Sequence, residues 1–121
     1  MTVDVTLTER KRGTRCCADN VDTGLSAEEA QQLSDDLSIL AHPIRLQILD
    51  MLVRNSEQVC VCDLEAALPV KQPTISHHLK LLRAAGLIDC ERRGLWAYYF
   101  VRREKLAQIR GRVFGQLDAW V

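Results

Sequence analysis

Two cysteine pairs carry the reactive chemistry of this sequence. One is the vicinal pair Cys16 and Cys17; the other is Cys60 and Cys62, inside "QVCVCDLEAAL" at residues 58–68. A reduced thiol is a nucleophile, and as thiolate it is a ligand for soft ions. Four thiols in two pairs suit a thiophilic metal or metalloid, or a redox sensor that closes disulfides between them. A thiolate-only site selects soft ions and excludes magnesium and manganese. Trivalent arsenic or antimony, As(III) or Sb(III), takes three thiolates in a pyramid, which adjacent cysteines suit. Cadmium, lead or bismuth would use all four. Either Cys60 or Cys62 alone would pack well as a small apolar side chain, and Cys90, alone in a strand-like run, reads as structural. An enzyme would pair a cysteine with His77 or His78 as nucleophile and base, but no third orienting group accompanies them, so the chain reads as a non-enzyme.

The second pair poses a conformational problem. Asp63 to Leu68 reads as helix, with Leu64, Ala67 and Leu68 on one side. Residues two apart point roughly 200° from each other on a helix, yet share a face in extended chain. A helix N-terminus also lowers the pKa of a thiol and favours the thiolate. An ion joining Cys60 and Cys62 is therefore expected to distort the first turn of this helix.

The elements that must position these groups are legible from pattern. A chain of 121 residues, 47% hydrophobic and 26% charged, suits one globular domain. No apolar run approaches the ~20 residues of a membrane span. The N-terminal "MTVDVTLTERKRGTRCC" lacks the apolar core of a signal peptide, so a cytoplasmic location is expected, where thiols stay reduced. The net charge of zero hides a separation: residues 19–65 carry ten acidic groups against Arg45 and Arg54. Residues 71–112 carry ten Lys and Arg against Asp89, Glu91 and Glu104. A half that basic can bind a polyanion.

Residues 1–24 read as a flexible arm carrying Cys16 and Cys17, and residues 25–121 as one domain. Ser26 with Glu29 makes a capping box, and Ala30, Leu33, Leu37 and Leu40 follow as one apolar seam. "PIRLQILDMLVRN" starts a second helix on proline and buries Ile44, Ile48, Leu49 and Leu52. "QPTISHHLKLLRAAGL" has Pro73 in its first turn and Gly86 as its stop. "LIDCERR" and "LWAYYFV" form a hairpin turned by Gly94, and Leu106, Ile109, Val113, Leu117 and Trp120 recur at helical spacing afterwards. Two short-linked helices followed by a hairpin read as a winged helix-turn-helix, mostly α.

On the second helix of that motif, Ile75, Leu79 and Leu82 lie within about 60° and must face the core. His77 and Lys80 point away, with Ser76 and Arg83 toward one flank; His78 reads as packed and hydrogen-bonded. Polar and cationic side chains there can reach base edges and phosphates in a major groove. Arg92 and Arg93 at the hairpin tip can meet phosphates or a minor groove. The two apolar seams cannot both be buried in so thin a monomer, so a homodimer is expected.

"LAHPIRLQIL", "CVCDL", "QPTISHHLKLLRAAGLI" and the basic hairpin ending "YYFV" together resemble the ArsR/SmtB family of bacterial metalloregulatory repressors, over about residues 26–121. The resemblance implies a homodimer whose first and last helices pair across a two-fold axis, through Leu33, Leu37, Leu40, Ile109, Val113 and Leu117. It implies binding to palindromic double-stranded operator DNA, with Gln72, Thr74, Ser76, His77 and Lys80 on the recognition helix, and release when a metal or metalloid binds. Where some arsenite repressors of that family carry a third cysteine, this chain has Glu65. The last helix has no histidine, only Asp118, so the family's zinc site there is not expected. "RCC" resembles members whose arms bring cysteines onto the site, and the ten or so residues after Cys17 reach ~33 Å when extended. The expected ligands are thus Cys16, Cys17, Cys60 and Cys62, and the expected inducer As(III) or Sb(III). Cd(II) or Pb(II) at the same cysteines, or a thiol redox or persulfide sensor, are the alternatives.

Overall fold

The computed structural model describes residues 21–56 and 59–121. Its order is α1 (Ala27–Leu40), α2 (Pro43–Arg54), α3 (Val61–Ala67), α4 (Gln72–Ala84), β1 (Ile88–Arg93), β2 (Trp96–Val101) and α5 (Arg103–Trp120). Local chemistry sets the boundaries. The Ser26 hydroxyl accepts from Glu29 N–H while the Glu29 carboxylate accepts from Ser26 N–H, closing the first turn of α1. Pro43 and Pro73 stand in the first turns of α2 and α4, where no N–H is needed. Gly86 ends α4 at φ +82° and Gly94 turns the hairpin at φ +64°, a region that costs a Cβ-bearing residue strain.

α2, α3, α4 and the start of β1 close around one core. Ile48, Leu52, Leu64, Ile75, Leu82, Leu87 and Ile88 are its most enclosed side chains. Burial of each contributes about 1.5–3 kcal/mol, and on α4 the stripe Ile75, Leu79, Leu82 turns the polar face outward. The hairpin is antiparallel with Cys90 opposite Tyr99 and Arg93 opposite Trp96. Val59 adds a bridge to Tyr99 outside the two strands.

α1 and α5 lie together against this core. Ile109 and Val113 turn inward and are buried, whereas Leu37, Phe114, Leu117 and Trp120 are exposed. Leu33 and Leu40 are half-buried. A groove of about 580 Å³ lies between the two helices, walled by Leu37, Leu40, Leu106, Val113 and Phe114. Asp36 is buried and accepts from Arg112 Nε at 2.6 Å and Nη2 at 3.0 Å, which clamps α1 to α5. That guanidinium holds the Asp36 carboxyl below its ordinary pKa. On α5, a Cβ at Gly111 or Gly115 would meet nothing within 4 Å. No helix among the described residues is long and apolar enough to cross a membrane.

Candidate functional site

The second cysteine pair sits at the junction between loop and helix. Cys60 is the N-cap of α3 with extended backbone, φ −104° and ψ 173°, and Cys62 lies in the first turn. Because the helix begins only after Cys60, the extended and helical rules each govern one side of the pair. The two sulfurs come within 2.7 Å, both free thiols. The expected distortion of the first turn is therefore not needed to join them; the N-cap conformation already does it. Cys60 is buried and Cys62 exposed, so the pair opens to solvent from one side.

The carboxylate of Asp63 completes the group, and the sequence reading passed over it. Its Oδ2 accepts from Cys60 N–H at 3.0 Å and lies 3.4 Å from Cys60 Sγ. Among the described residues, Cys60, Cys62 and Asp63 bring three potential donor atoms within 4.8 Å of one another. The acid three residues after an N-cap is the signal that could have found it. At Cys62 the shift runs against the expected lowering: the hydrogen bond with Cys60 raises its pKa above the ordinary value, and Asp63 adds to the rise. Two sulfurs beside a carboxylate form an electron-rich pocket that favours a cation or an electrophilic metalloid over a bare thiolate. Cys16 and Cys17 lie outside the described residues. Cys90 is half-buried on β1, facing Tyr99.

α4 packs on α3. Gln72, Thr74, Ser76, His77 and Lys80 are exposed along it, and Arg92 and Arg93 are exposed at the hairpin tip beside Leu95 and Trp96. A cleft of about 380 Å³ between α4 and β2 is lined by Ser76, Lys80, Arg83 and Tyr99. The cations differ in freedom. Arg83 is paired with Asp89 at 3.0 Å, and Arg93 with Glu91 at 3.2 Å while it lies 4.8 Å over the Tyr98 ring.

His78 is buried behind this face. Arg45 Nη1 lies 3.2 Å from His78 Nδ1, and since arginine can only donate, that ring nitrogen accepts. The same guanidinium donates to the Ile39 and Ser38 carbonyls at the end of α1. His42 caps α2 by accepting from Ile44 N–H at Nδ1, and its ring lies 4.3 Å from that of His78. Burial, followed by the neighbouring His42, Arg45 and His77, pushes the His78 pKa below its ordinary value. The folded protein thus prefers neutral His78, while the unfolded chain takes up its proton near pH ~6.5. Stability should be full above that pH and decline as pH falls from it toward the depressed folded value. Urea midpoints of the parent and of His78→Gln, measured across that range, check this: the advantage of the parent should shrink with acidification, and a constant gap would refute it.

Comparison with known proteins places these features in context. Residues 42–89 match the model described as "Bacterial regulatory protein, arsR family". The chain is 40% identical over 75 residues to a transcriptional repressor SmtB homolog of Synechocystis, covering 62% of this chain and 55% of that one. The matched stretch thus spans about half the length of that relative. It is 37% identical over 86 residues to a putative arsenical resistance operon repressor of Halobacterium salinarum, covering 69% of each. Among solved structures, NolR of Sinorhizobium fredii superimposes with a TM-score of 0.60 at 33% identity, over 74% of this chain and 91% of that one.

Proposed function

Because the chain belongs to the arsR family of bacterial regulatory proteins, we propose that it is a dimeric, operator-binding repressor released when As(III) or Sb(III) is held by its cysteine thiolates. The observation that carries the reading is the contact of Cys60 and Cys62 at the head of α3, the helix that packs on α4. Two thiols held together are two-thirds of a trivalent, pyramidal site. The third donor is Cys16 or Cys17, from an arm that residues 1–24 provide, in the same or the partner subunit. Bound there, the metalloid supplies covalent bonds to sulfur, and the chain uses that energy to disfavour its DNA-bound form. A specific observation favours a second ion class: Asp63 Oδ2 lies 3.4 Å from Cys60 Sγ, and a mixed sulfur and oxygen set suits Cd(II) or Pb(II).

In the DNA-bound form α4 enters a major groove with Gln72, Thr74, Ser76, His77 and Lys80 outward, and the hairpin lies on the flanking backbone. Operator duplex selected from a random library by the reduced protein, labelled for anisotropy, tests the whole reading. Arsenite or antimonite should release it, and failure of every thiophilic ion to do so would remove the metalloregulatory function.

The same assay separates the DNA contacts. His77→Ala or Gln72→Ala should lose about 1–3 kcal/mol of discrimination between operator and random duplex. Arg92→Ala should weaken both and flatten the salt slope by about one phosphate's worth. Arg93→Ala should do less, since Glu91 and Tyr98 already engage it. Operator binding by His77→Ala equal to that of the parent would overturn the assignment of the outer face.

A further inference from the structure

We propose that the peptide plane between Val59 and Cys60 is a lever linking the thiol pair to the wing, and that Asp63 sets its angle. The proposal rests on the thiol site described above and names its route to the DNA-binding surface. A peptide unit is rigid, with its C=O and N–H fixed in one plane. Here both edges are engaged. Cys60 N–H donates to Asp63 Oδ2 at 3.0 Å, and Val59 C=O accepts from Tyr99 N–H at 2.8 Å. One edge therefore belongs to α3 and the other to the middle of β2.

This plane has little freedom to turn unnoticed. Val59 is 2% exposed, and among the described residues its contact with Tyr99 is a bridge outside the two named strands. Asp63 Oδ2 also lies 3.4 Å from Cys60 Sγ, so anything bound between Cys60 and Cys62 meets the carboxylate that holds the plane. When that carboxylate or the Cys60 backbone moves, the N–H edge follows and the carbonyl edge swings off Tyr99. β2 is paired rung by rung with β1 up to Trp96 and Arg93, so a shift at Tyr99 reaches the hairpin tip. The wing is the part of the DNA-binding surface that the thiols address first, while α4 keeps its buried stripe.

Amide hydrogen exchange at Tyr99 N–H, followed by NMR on the full, reduced chain, reads the lever directly. Asp63→Ala, free of ions, should exchange Tyr99 about tenfold faster while the Leu79 and Leu82 amides keep parental rates. Asp63→Asn keeps an acceptor oxygen and should show a smaller increase; it replaces the alanine variant if that chain does not fold. In the parent, one equivalent of arsenite, with binding verified by native mass, should accelerate Tyr99 by a similar factor. The Cys60→Ser/Cys62→Ser chain should not respond. Tyr99 rates within about twofold of the parent in the Asp63 variants, or unmoved by bound arsenite, would overturn the lever. A parent mass that never gains arsenic would overturn the thiol reading instead, and the ion-free variants would still decide the lever.

Discussion

Arsenite should leave the Cys60→Ser/Cys62→Ser repressor on its operator while it strips the parent. Switching a promoter from almost full to almost empty needs a difference of about 10⁴-fold between the two states, or ~5.5 kcal/mol. Bonds from sulfur to a metalloid can supply that, and the residues offered for it are few. Cys60 and Cys62 already touch, so the pair contributes two ligands with little ordering cost. Glu65 stands where some members of the family carry a third cysteine, and the proposed site takes its third ligand from Cys16 or Cys17. The serine double variant should bind DNA like the parent, because the Asp63 cap on the Cys60 N–H survives, yet lose less than about tenfold of operator affinity under saturating arsenite. A Cys16→Ser/Cys17→Ser chain should fold normally and lose most of its affinity for arsenite; Cys90→Ser should behave as the parent. Anisotropy titrations give the affinities, and arsenic-edge absorption on the parent should find three sulfur neighbours. A full response from the arm variant would leave Cys60 and Cys62 acting without it.

A charge at Leu117 should have the second large effect. Leu37, Phe114, Leu117 and Trp120 are 47%, 56%, 43% and 63% exposed, too much apolar surface on two adjacent helices for a free protomer to carry idly. A two-fold contact across this face meets every substitution twice. Leu117→Glu should therefore give a monomer by light scattering. It should also lose operator affinity by about 10²–10⁴-fold, because two half-sites are then bound independently. Val113 is the wrong place for this test, being 9% exposed inside the protomer, where a carboxylate would damage the core instead. Leu117→Glu that still ran as a dimer, with the parental affinity, would remove α5 from the interface.

Features that depend on near neighbours in the chain were readable before any coordinates. The Ser26–Glu29 box, the prolines opening α2 and α4, and the glycines closing α4 and the hairpin all act within four residues. The stripe on α4 followed from helical periodicity alone. What escaped was contact at long separation. Arg112 on Asp36, Arg45 on His78, and Tyr99 on Val59 each join segments more than thirty residues apart, and no local pattern announces them. At the thiol pair the difficulty was a boundary of one residue. With Cys60 inside the helix the sulfurs diverge; with Cys60 as its cap they meet, and the helix stays regular.

The bridge from Val59 to Tyr99 also bears on how the chain reaches its working shape. It closes a loop of about forty residues that contains α3, α4 and β1. Helix turns and a tight hairpin form from neighbours in about 0.1–10 μs, whereas a closure of that length must also overcome its own loop entropy. The thiol-bearing head of α3 and the hairpin are thus expected to form separately, and to be joined last. A newly made chain would hold its separate parts before it holds the connection between the thiol pair and the hairpin.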